Sequence, residues 1–299
     1  MIRLGPSSPL VRFLIGRKCR QLGATMTSRG SFLSLRKDQR EMRLAPKHFV
    51  YAPDMAERFD LYFSQLVPTE VDGVSVLDYS RPGILQTYAR SGLRFEMASF
   101  PEEDEAIDSY FRWYTPQPGD IVFDVGAHCG VSSYRFSKLV GDRGRVISFE
   151  PDPVNFALFL RNIERHKLTN VEPVQIAIAG TRGHAEFNCE ETIGSGLTRH
   201  SSRASVGKVI MVETITLEDG FAKWGTPAFC KIDIEGAELE VIGAARSFLG
   251  SCRCEFALDT DHLVDGALTD QRIEKLFQDC GYESMSSDAR PKTTWARPV

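Results

Sequence analysis

Three acidic residues, Asp124, Glu150 and Asp233, each lie at or near the end of a short, largely apolar run. Such runs predict buried strands, and the carboxyl ends of parallel strands line one ligand crevice. At this position the Glu150 carboxylate can accept hydrogen bonds from two ribose hydroxyls, each worth about 1.5–3 kcal/mol. The alternative is an acid that only stabilises the start of the next helix. The acids therefore predict a site for a nucleotide-like ligand.

A glycine-containing turn follows the first of these strands and runs from Gly126 to Gly130, with His128 at its middle position. Gly126 permits a tight turn and the close approach of a ligand to the backbone. The first amides of the following helix are open to the same ligand. A turn of this kind can also serve chain packing alone. The acids at the strand ends are what favour a ligand-binding role for it.

These residues must be held by an alternating series of strands and helices, which begins at Asp120. Apolar periods of two and 3.6 residues alternate from there on, which predicts a parallel sheet with right-handed crossovers. The predicted strands are 121–125, 145–150, 174–178, 229–234 and 253–258, then an antiparallel edge pair at 282–286 and 293–297. The predicted helices are 131–140, 154–166 with Asp152 as N-cap, 217–224, 239–245 and 270–280.

An insertion breaks this rhythm. Residues 184–188 and 208–214 are predicted antiparallel strands, and a polar loop at 192–205 lies between them. Loops at this edge of a sheet commonly shape a substrate site. A surface hairpin without a function is the equal alternative.

The composition bounds the class of protein. The chain has 299 residues, of which 42% are hydrophobic and 25% are charged, as in ordinary globular proteins. Its net charge of −4 combines +9 over residues 1–47 (11 Lys+Arg and 2 Asp+Glu) with −13 over the rest. An acidic main body argues against nucleic acid as a partner. Seven cysteines without a C-x-x-C pair predict free thiols in the cytoplasm, not zinc or disulfides.

The first segment, residues 1–46, is basic and has no acid before Asp38. We expect a disordered tail. Its composition also resembles an organellar transit segment, could give weak contact with a membrane surface, or could reflect a chain that begins at Met26 or Met42. No run reaches the roughly 18 apolar residues of a transmembrane segment.

The second segment, residues 47–118, is expected to be an N-terminal helical cap. It contains an amphipathic helix pattern at 55–66 and an aromatic-rich pattern at 107–114. The remaining residues, 119–299, are expected to form the sheet domain.

Three stretches of the sheet domain resemble the FkbM family of methyltransferases: Val122 to Gly130, Phe149-Glu150-Pro151, and Lys-Ile-Asp-Ile-Glu-Gly-Ala-Glu from Lys231 to Glu238. The last run is the most specific, and the resemblance extends over about residues 118–285. The family has the class I methyltransferase fold. The resemblance thus implies an α/β three-layer sandwich with a mostly parallel twisted sheet and an antiparallel C-terminal edge.

The resemblance also implies S-adenosylmethionine as the cofactor. The family often has Asn where this chain has His128, which leaves the backbone role of that residue intact. The implied cofactor-binding residues are Asp124, Gly126, Ala127, His128, Gly130, Glu150, Pro151, Ala177 and Asp233.

Methyl transfer to a hydroxyl requires removal of its proton, and three residues that follow strands are candidates: Asp233, Glu235 and His262. Each has a structural alternative, since Glu235 could cap a helix, His262 could be an ordinary loop residue, and Asp233 could bind the cofactor. The spacing of Asp233, Glu235 and Asp259 is not diagnostic of a metal site, and no metal is expected.

The leading hypothesis is an O-methyltransferase that acts on a sugar, a glycan or a secondary metabolite, an acceptor class implied only by the resemblance. The second hypothesis is an NAD-dependent oxidoreductase, which the glycine turn and Glu150 would also suit. Against it, the turn lacks the G-x-G-x-x-G spacing. The third is a non-catalytic cofactor-binding scaffold or a membrane-associated adaptor.

Overall fold

The computed structural model describes residues 8–100, 106–200 and 207–299. The chain divides into two compact units, the first built mainly from residues up to Asp104 and the second mainly from Glu105 to Val299. No helix in the described ranges is long and apolar enough to cross a membrane.

The first unit contains a five-stranded sheet in the order β1-β2-β3-β5-β4 and a separate two-stranded hairpin, β6-β7. Its strands are β1 Thr25–Ser28, β2 Leu33–Lys37, β3 Arg40–Leu44, β4 Thr69–Val71, β5 Val74–Tyr79, β6 Ile84–Thr87 and β7 Arg94–Met97. Its α-helices are α1 Pro9–Gln21, α2 Ala52–Glu57 and α3 Phe59–Gln65. Only the β3–β5 pair is parallel within the five-stranded sheet.

The prediction of a disordered tail at residues 1–46 does not hold for residues 8–46, which form α1 and three strands. Leu33 and Leu35 in β2, and Met42 and Leu44 in β3, are buried on alternate positions. This period-two pattern buries one face of a sheet. The prediction missed it because the many basic residues around it favoured disorder. Residues 1–7 of the predicted tail lie outside the described residues.

The predicted helical cap also differs from the structure. The helix expected at 55–66 is two helices, α2 and α3, with a break at Arg58. The helix expected at 107–114 is a single 3₁₀ turn, Ala106–Tyr110. Strands occupy much of the rest of this segment, and the first unit ends at Asp104 instead of 118.

The second unit is built on a seven-stranded sheet in the order β10-β9-β8-β15-β16-β20-β19. In chain order this is third, second, first, fourth, fifth, seventh, sixth. The strands are β8 Ile121–Val125, β9 Arg145–Phe149, β10 Val171–Val174, β15 Phe229–Ile232, β16 Glu255–Asp259, β19 Tyr282–Ser286 and β20 Thr293–Pro298. Of these seven strands, only β20 runs in the direction opposite to the others. The predicted fold, a mostly parallel sheet with an antiparallel C-terminal edge, is confirmed.

Helices cover the sheet, and two apolar clusters pack against it. The helices are α4 Val131–Val140, α5 Pro153–His166, α6 Leu217–Trp224, α7 Glu238–Ala244, α8 Arg246–Leu249 and α9 Asp270–Asp279. Asp152 caps α5 as predicted, since its side chain accepts hydrogen bonds from the backbone of Val154 and Asn155. This cap fixes where α5 begins and where the loop after β9 ends.

The predicted third strand, 174–178, is wrong in its position. The sheet strand is β10, Val171–Val174, and β11, Ala177–Ile178, belongs to another sheet. Pro173 lies inside β10, where its missing N–H is tolerated because β10 is an edge strand.

The two strands predicted for the insertion are confirmed as part of a four-stranded sheet in the order β11-β14-β12-β13. Its remaining strands are β12 Gly183–Cys189, β13 Gly196–Leu197 and β14 Lys208–Ile215. The predicted loop at 192–205 contains β13, and residues 201–205 of it lie outside the described residues. Two short strands, β17 Leu263–Val264 and β18 Ala267–Leu268, form a hairpin after β16.

Candidate active site

The turn after β8 packs directly on the end of β15. Gly126 has a left-handed φ of 82°, and a Cβ added there would lie 1.9 Å from the carbonyl oxygen of Asp233. The backbone amides of Gly126 and Ala127 both donate to the carbonyl oxygen of Phe149, each at 3.0 Å. The turn therefore joins the ends of three neighbouring strands, and no side chain fits at Gly126.

The second half of the turn leads into α4. Gly130 has a φ of 89°, and a Cβ there would lie 2.3 Å from the ring of Phe159. His128 also has a left-handed φ, 49°, and its backbone N–H donates to Oε2 of Glu150 at 2.8 Å. The contribution of His128 to this turn is thus made by its backbone, as the sequence resemblance implied.

The Asp124 carboxylate is fully buried beneath the turn. Its Oδ2 atom accepts hydrogen bonds from the hydroxyls of Ser132 and Ser133, at 2.7 and 2.6 Å. Its Oδ1 atom lies 3.4 Å from the ammonium group of Lys231. Asp124 therefore ties the first turn of α4 to β8 and β15.

Glu150 follows β9 and is 5% exposed. Its two carboxylate oxygens each accept a backbone N–H, one from His128 and one from Asp152, both at 2.8 Å. Burial raises the pKa of Glu150 to about 7. Each oxygen keeps a further lone pair that can accept a hydroxyl hydrogen, so the residue fits a ribose.

Lys231 is a site residue that the sequence analysis did not single out. Its side chain is buried, and its ammonium group donates to the carbonyl oxygen of Gly126 at 2.7 Å. It lies between Asp124 and Asp233, whose carboxylates are 3.4 and 3.9 Å away. A lysine inside the apolar run Phe-Cys-Lys-Ile was the available signal, because a buried charge requires partners.

Tyr110 was also missed. Its hydroxyl lies 3.5 Å from Oδ2 of Asp233, and burial raises the pKa of Tyr110 well above its ordinary value. The 3₁₀ turn that carries it is fixed to β20, because the Trp295 indole donates to the carbonyl oxygen of Ser109 at 3.0 Å. The local sequence around Tyr110 gives no signal that it would contact Asp233, which lies far away along the chain.

The loop after β15 is organised by Glu238, which has no exposed surface. Its two oxygens accept the backbone N–H groups of Ile234 and Gly236, at 2.7 and 2.9 Å. Glu235, between them, has a left-handed φ of 58°. Glu238 thus holds Glu235 in a conformation that a non-glycine residue rarely adopts.

His262 lies between the two glutamates of this loop. Its Nδ1 atom is 3.3 Å from Oε1 of Glu238, and its Nε2 atom is 3.6 Å from Oε1 of Glu235. Burial alone would lower the pKa of His262, but the two carboxylates outweigh it and raise that pKa well above 6.5. The two carboxylates therefore favour the protonated form of the imidazole.

Asp259, at the end of β16, lies close to the same cluster. Burial, reinforced by the carboxylate of Asp233, raises the pKa of Asp259 to about 8. Ligand atoms of Asp233, Glu238 and His262 lie within 4.8 Å of one another, a spacing that could hold a metal ion. A metal ion bound here would have to displace the proton of His262. Our expectation of no metal stays a prediction.

The insertion borders this loop. A Cβ added at Gly196 in β13 would lie 3.0 Å from Cβ of Glu235. Glu240 in α7 accepts hydrogen bonds from the side chains of Arg199 and His200 and from the backbone N–H of Gly180. The insertion is therefore attached to the helix that begins beside the candidate catalytic residues.

The structure brings the predicted residues together unequally. Glu150, Asp233, Glu235 and His262 follow the carboxyl ends of neighbouring strands, and Asp124 lies at the end of β8. Asp233 and Glu235 expose about a third of their side chains, 33% and 32%. Two further implied cofactor residues follow strands of this sheet: Ala127, which is buried, and Pro151, which is half-buried. Ala177 is the first residue of β11, in the other sheet.

The strand order and the acids at one edge form the ligand crevice of an open α/β sheet. Together with the family match over residues 124–284, they make this a class I methyltransferase domain, whose cofactor is S-adenosylmethionine. Residues 124–284 match the family described as the methyltransferase FkbM domain. This match extends over more than half of the chain, and the chain belongs to that family.

Two curated relatives are similar to the chain. One is the hexuronic acid methyltransferase AglP of Haloferax volcanii, 26% identical over 132 residues that make up 44% of this chain and 52% of the relative. The other is the 31-O-demethyl-FK506 methyltransferase FkbM of Streptomyces tacrolimicus, 28% identical over an alignment of 184 residues, with coverage of 51% of this chain and 69% of the relative. The chain thus spans about half of the length of AglP.

Solved structures with lower similarity were also found. The methyltransferase FkbM of Methylobacillus flagellatus is 17% identical, with a TM-score of 0.45 and coverage of 62% of this chain and 46% of that one. A precorrin-6y C5,15-methyltransferase of Geobacter metallireducens is 15% identical, with a TM-score of 0.42 and coverage of 66% and 86%.

Proposed function

We propose that this protein transfers a methyl group from S-adenosylmethionine to a hydroxyl group of a sugar, a glycan or a secondary metabolite. The observation that carries the proposal is that Glu150, Asp233 and Glu235 all follow strands of one parallel sheet, within a domain of the FkbM family. When bound, the cofactor supplies a methyl group on a positively charged sulfur.

Glu150 would hold the ribose, because each of its oxygens has capacity for one more hydrogen bond. The turn from Gly126 to Gly130 would hold the methionine part. Pro151 and Ala177 would lie near the adenine.

Asp124 and Lys231 have a different role in this proposal. Both are buried, and each bonds to parts of the turn or of α4. They would position the turn and would not touch the cofactor themselves.

The proton of the acceptor hydroxyl requires a base, and Asp233 is our candidate. Its carboxylate is a third exposed, so an acceptor can reach it. Glu235 has a similar exposure but is oriented by His262. His262, held between two carboxylates that favour its protonated form, would orient Glu235 and would not take the proton itself, which revises its expected role.

The names of the relatives support oxygen as the acceptor atom. One relative is named for methylation of a hexuronic acid and the other for a substrate that lacks a methyl group on an oxygen. Both names are compatible with a substrate that accepts the methyl group on a hydroxyl.

The test is transfer of label from S-adenosyl-[methyl-³H]methionine to a panel of hexuronic acids, neutral sugars and hydroxylated polyketides. We expect label in at least one hydroxylated compound, and at least roughly 100-fold less when Asp233→Asn replaces the wild type. Thermal-shift measurements with NAD and with S-adenosylhomocysteine separate the oxidoreductase alternative. Stabilisation by NAD without stabilisation by S-adenosylhomocysteine would refute the proposal.

A further inference from the structure

Helix α1, Pro9–Gln21, presents three apolar side chains to solvent. Leu10, Phe13 and Leu14 are 51%, 60% and 49% exposed. Their spacing of three and four residues places them on one face of the helix. The other face packs into the first unit, where Gly16 and Cys19 are buried.

The exposed face continues into basic residues one turn further on. Arg17, Lys18 and Arg20 are all exposed. Arg17 and Lys18 lie three and four residues beyond Leu14, so they extend the same face. The helix contains no Asp or Glu.

Several other basic residues of this unit form ion pairs. Lys37 and Arg40 form ion pairs with Asp60, and Arg43 forms one with Glu41. Within the described ranges, Arg17, Lys18 and Arg20 form no ion pair. Three cations beside three exposed apolar side chains therefore lack a counter-charge within the described chain.

We propose that α1 docks on an anionic lipid surface. Apolar side chains on a short basic helix enter the boundary between headgroups and acyl chains, while Lys and Arg contact the phosphates. The charge agrees, since residues 1–47 carry +9. At 13 residues, about 20 Å, the helix lies along the surface and does not cross it.

A second copy of this chain is the less favoured occupant of the same face. A two-fold contact would bring α1 against α1, and its six cations from Arg17, Lys18 and Arg20 would face no acid on either helix. An anionic surface supplies the missing negative charge.

Co-sedimentation of the full chain with sucrose-loaded vesicles tests the proposal. We expect sedimentation with mixed phosphatidylcholine–phosphatidylglycerol vesicles, little with pure phosphatidylcholine vesicles, and loss of binding as salt is raised. Sedimentation with neither vesicle type, or equally with both, would overturn the proposal.

Two variants separate the contributions. Phe13→Gln with Leu14→Gln removes the apolar contact, and we expect at least a tenfold loss of vesicle binding. A triple replacement of Arg17, Lys18 and Arg20 by Gln should lose about fivefold per residue. Circular dichroism must show that both variants remain folded.

Matched controls make the same kinds of substitution at exposed sites outside α1. Leu61→Gln replaces an exposed leucine on α3. Arg29→Gln, Arg81→Gln and Arg143→Gln together give the same net charge as the triple variant, at exposed sites outside α1. Equal losses in the controls would show non-specific attraction and contradict the docking face. Wild-type self-association that is lost in the Phe13 and Leu14 variant, without vesicle binding, would replace the membrane by a second copy.

Discussion

The Nδ1 atom of His262 lies 3.3 Å from Oε1 of Glu238, a carboxylate with no exposed surface. Since Glu238 also accepts two backbone N–H groups of the loop after β15, this contact couples the charge of one side chain to the shape of the loop.

The first prediction concerns pH. Folding raises the pKa of His262 above 6.5, so its stabilising charge is fully present below pH 6.5 and is lost as the pH rises through the raised pKa. As the pH rises through this pKa, we expect the free energy of unfolding to fall in the wild type and to fall less in His262→Gln. Denaturant titrations at several pH values measure this. His184→Gln, at an exposed site on β12, should keep the wild-type slope.

The second prediction concerns Glu150. Replacement by Gln should weaken S-adenosylhomocysteine binding by roughly 10- to 100-fold, because hydrogen bonds to a charged carboxylate are lost. Since the pKa of Glu150 is raised to about 7, wild-type affinity should rise with pH through that value. Calorimetry tests both effects. Unchanged affinity in Glu150→Gln would remove Glu150 from the cofactor site, and Glu164→Gln on the exposed face of α5 is the control.

The third prediction concerns Lys231. Lys231→Met leaves the buried Asp124 carboxylate without its cation, which costs about 3–5 kcal/mol of stability. Adding Asp124→Asn should restore part of this loss. Chemical denaturation measures it, with Lys275→Met as the control for an exposed pair worth less than about 1 kcal/mol. Equal losses in Lys231→Met and the control would mean that Lys231 is not a buried counter-charge.

The fourth prediction concerns Gly126. A Cβ in Gly126→Ala would meet the Asp233 carbonyl oxygen at 1.9 Å, so the turn must shift. We expect weakened cofactor binding and a lower melting temperature. Gly243→Ala in α7 has open space around its added Cβ, and it should stabilise the protein by about 0.5–1 kcal/mol. A Gly126→Ala protein as stable and as active as the wild type would contradict the geometry.

The fifth prediction separates chemistry from binding at Asp233. Asp233→Asn should lower kcat by 10²–10⁴ while the Kd of S-adenosylmethionine changes little. A large rise in Kd with an unchanged kcat would make Asp233 a cofactor ligand instead of the base. Asp265→Asn, at an exposed carboxylate, is the control.

Much of the second unit could be predicted from the sequence, because its periods are regular. The helix at 131–140 and the N-cap at Asp152 were predicted as the structure has them. The third strand was misplaced because β10 and β11 are separated by only two residues and join different sheets. Periodicity does not reveal which sheet a short strand joins.

The first unit was predicted poorly for a physical reason. A basic composition with no acid before Asp38 resembles a disordered tail, yet the alternation of Leu33 and Leu35 with polar residues is enough to bury a sheet face. Of the site, the strand-end acids were evident, whereas Lys231 and Tyr110 act through contacts between distant parts of the chain.

The two hydrogen bonds from Glu238 to the backbone have a consequence for acceptor choice. They fix the loop during folding, so its conformational entropy is already lost before any acceptor arrives. Under the proposed function, we expect discrimination between acceptors to come from the neighbouring β12–β14 insertion. That segment could diverge among homologous enzymes while the donor half of the crevice stays unchanged.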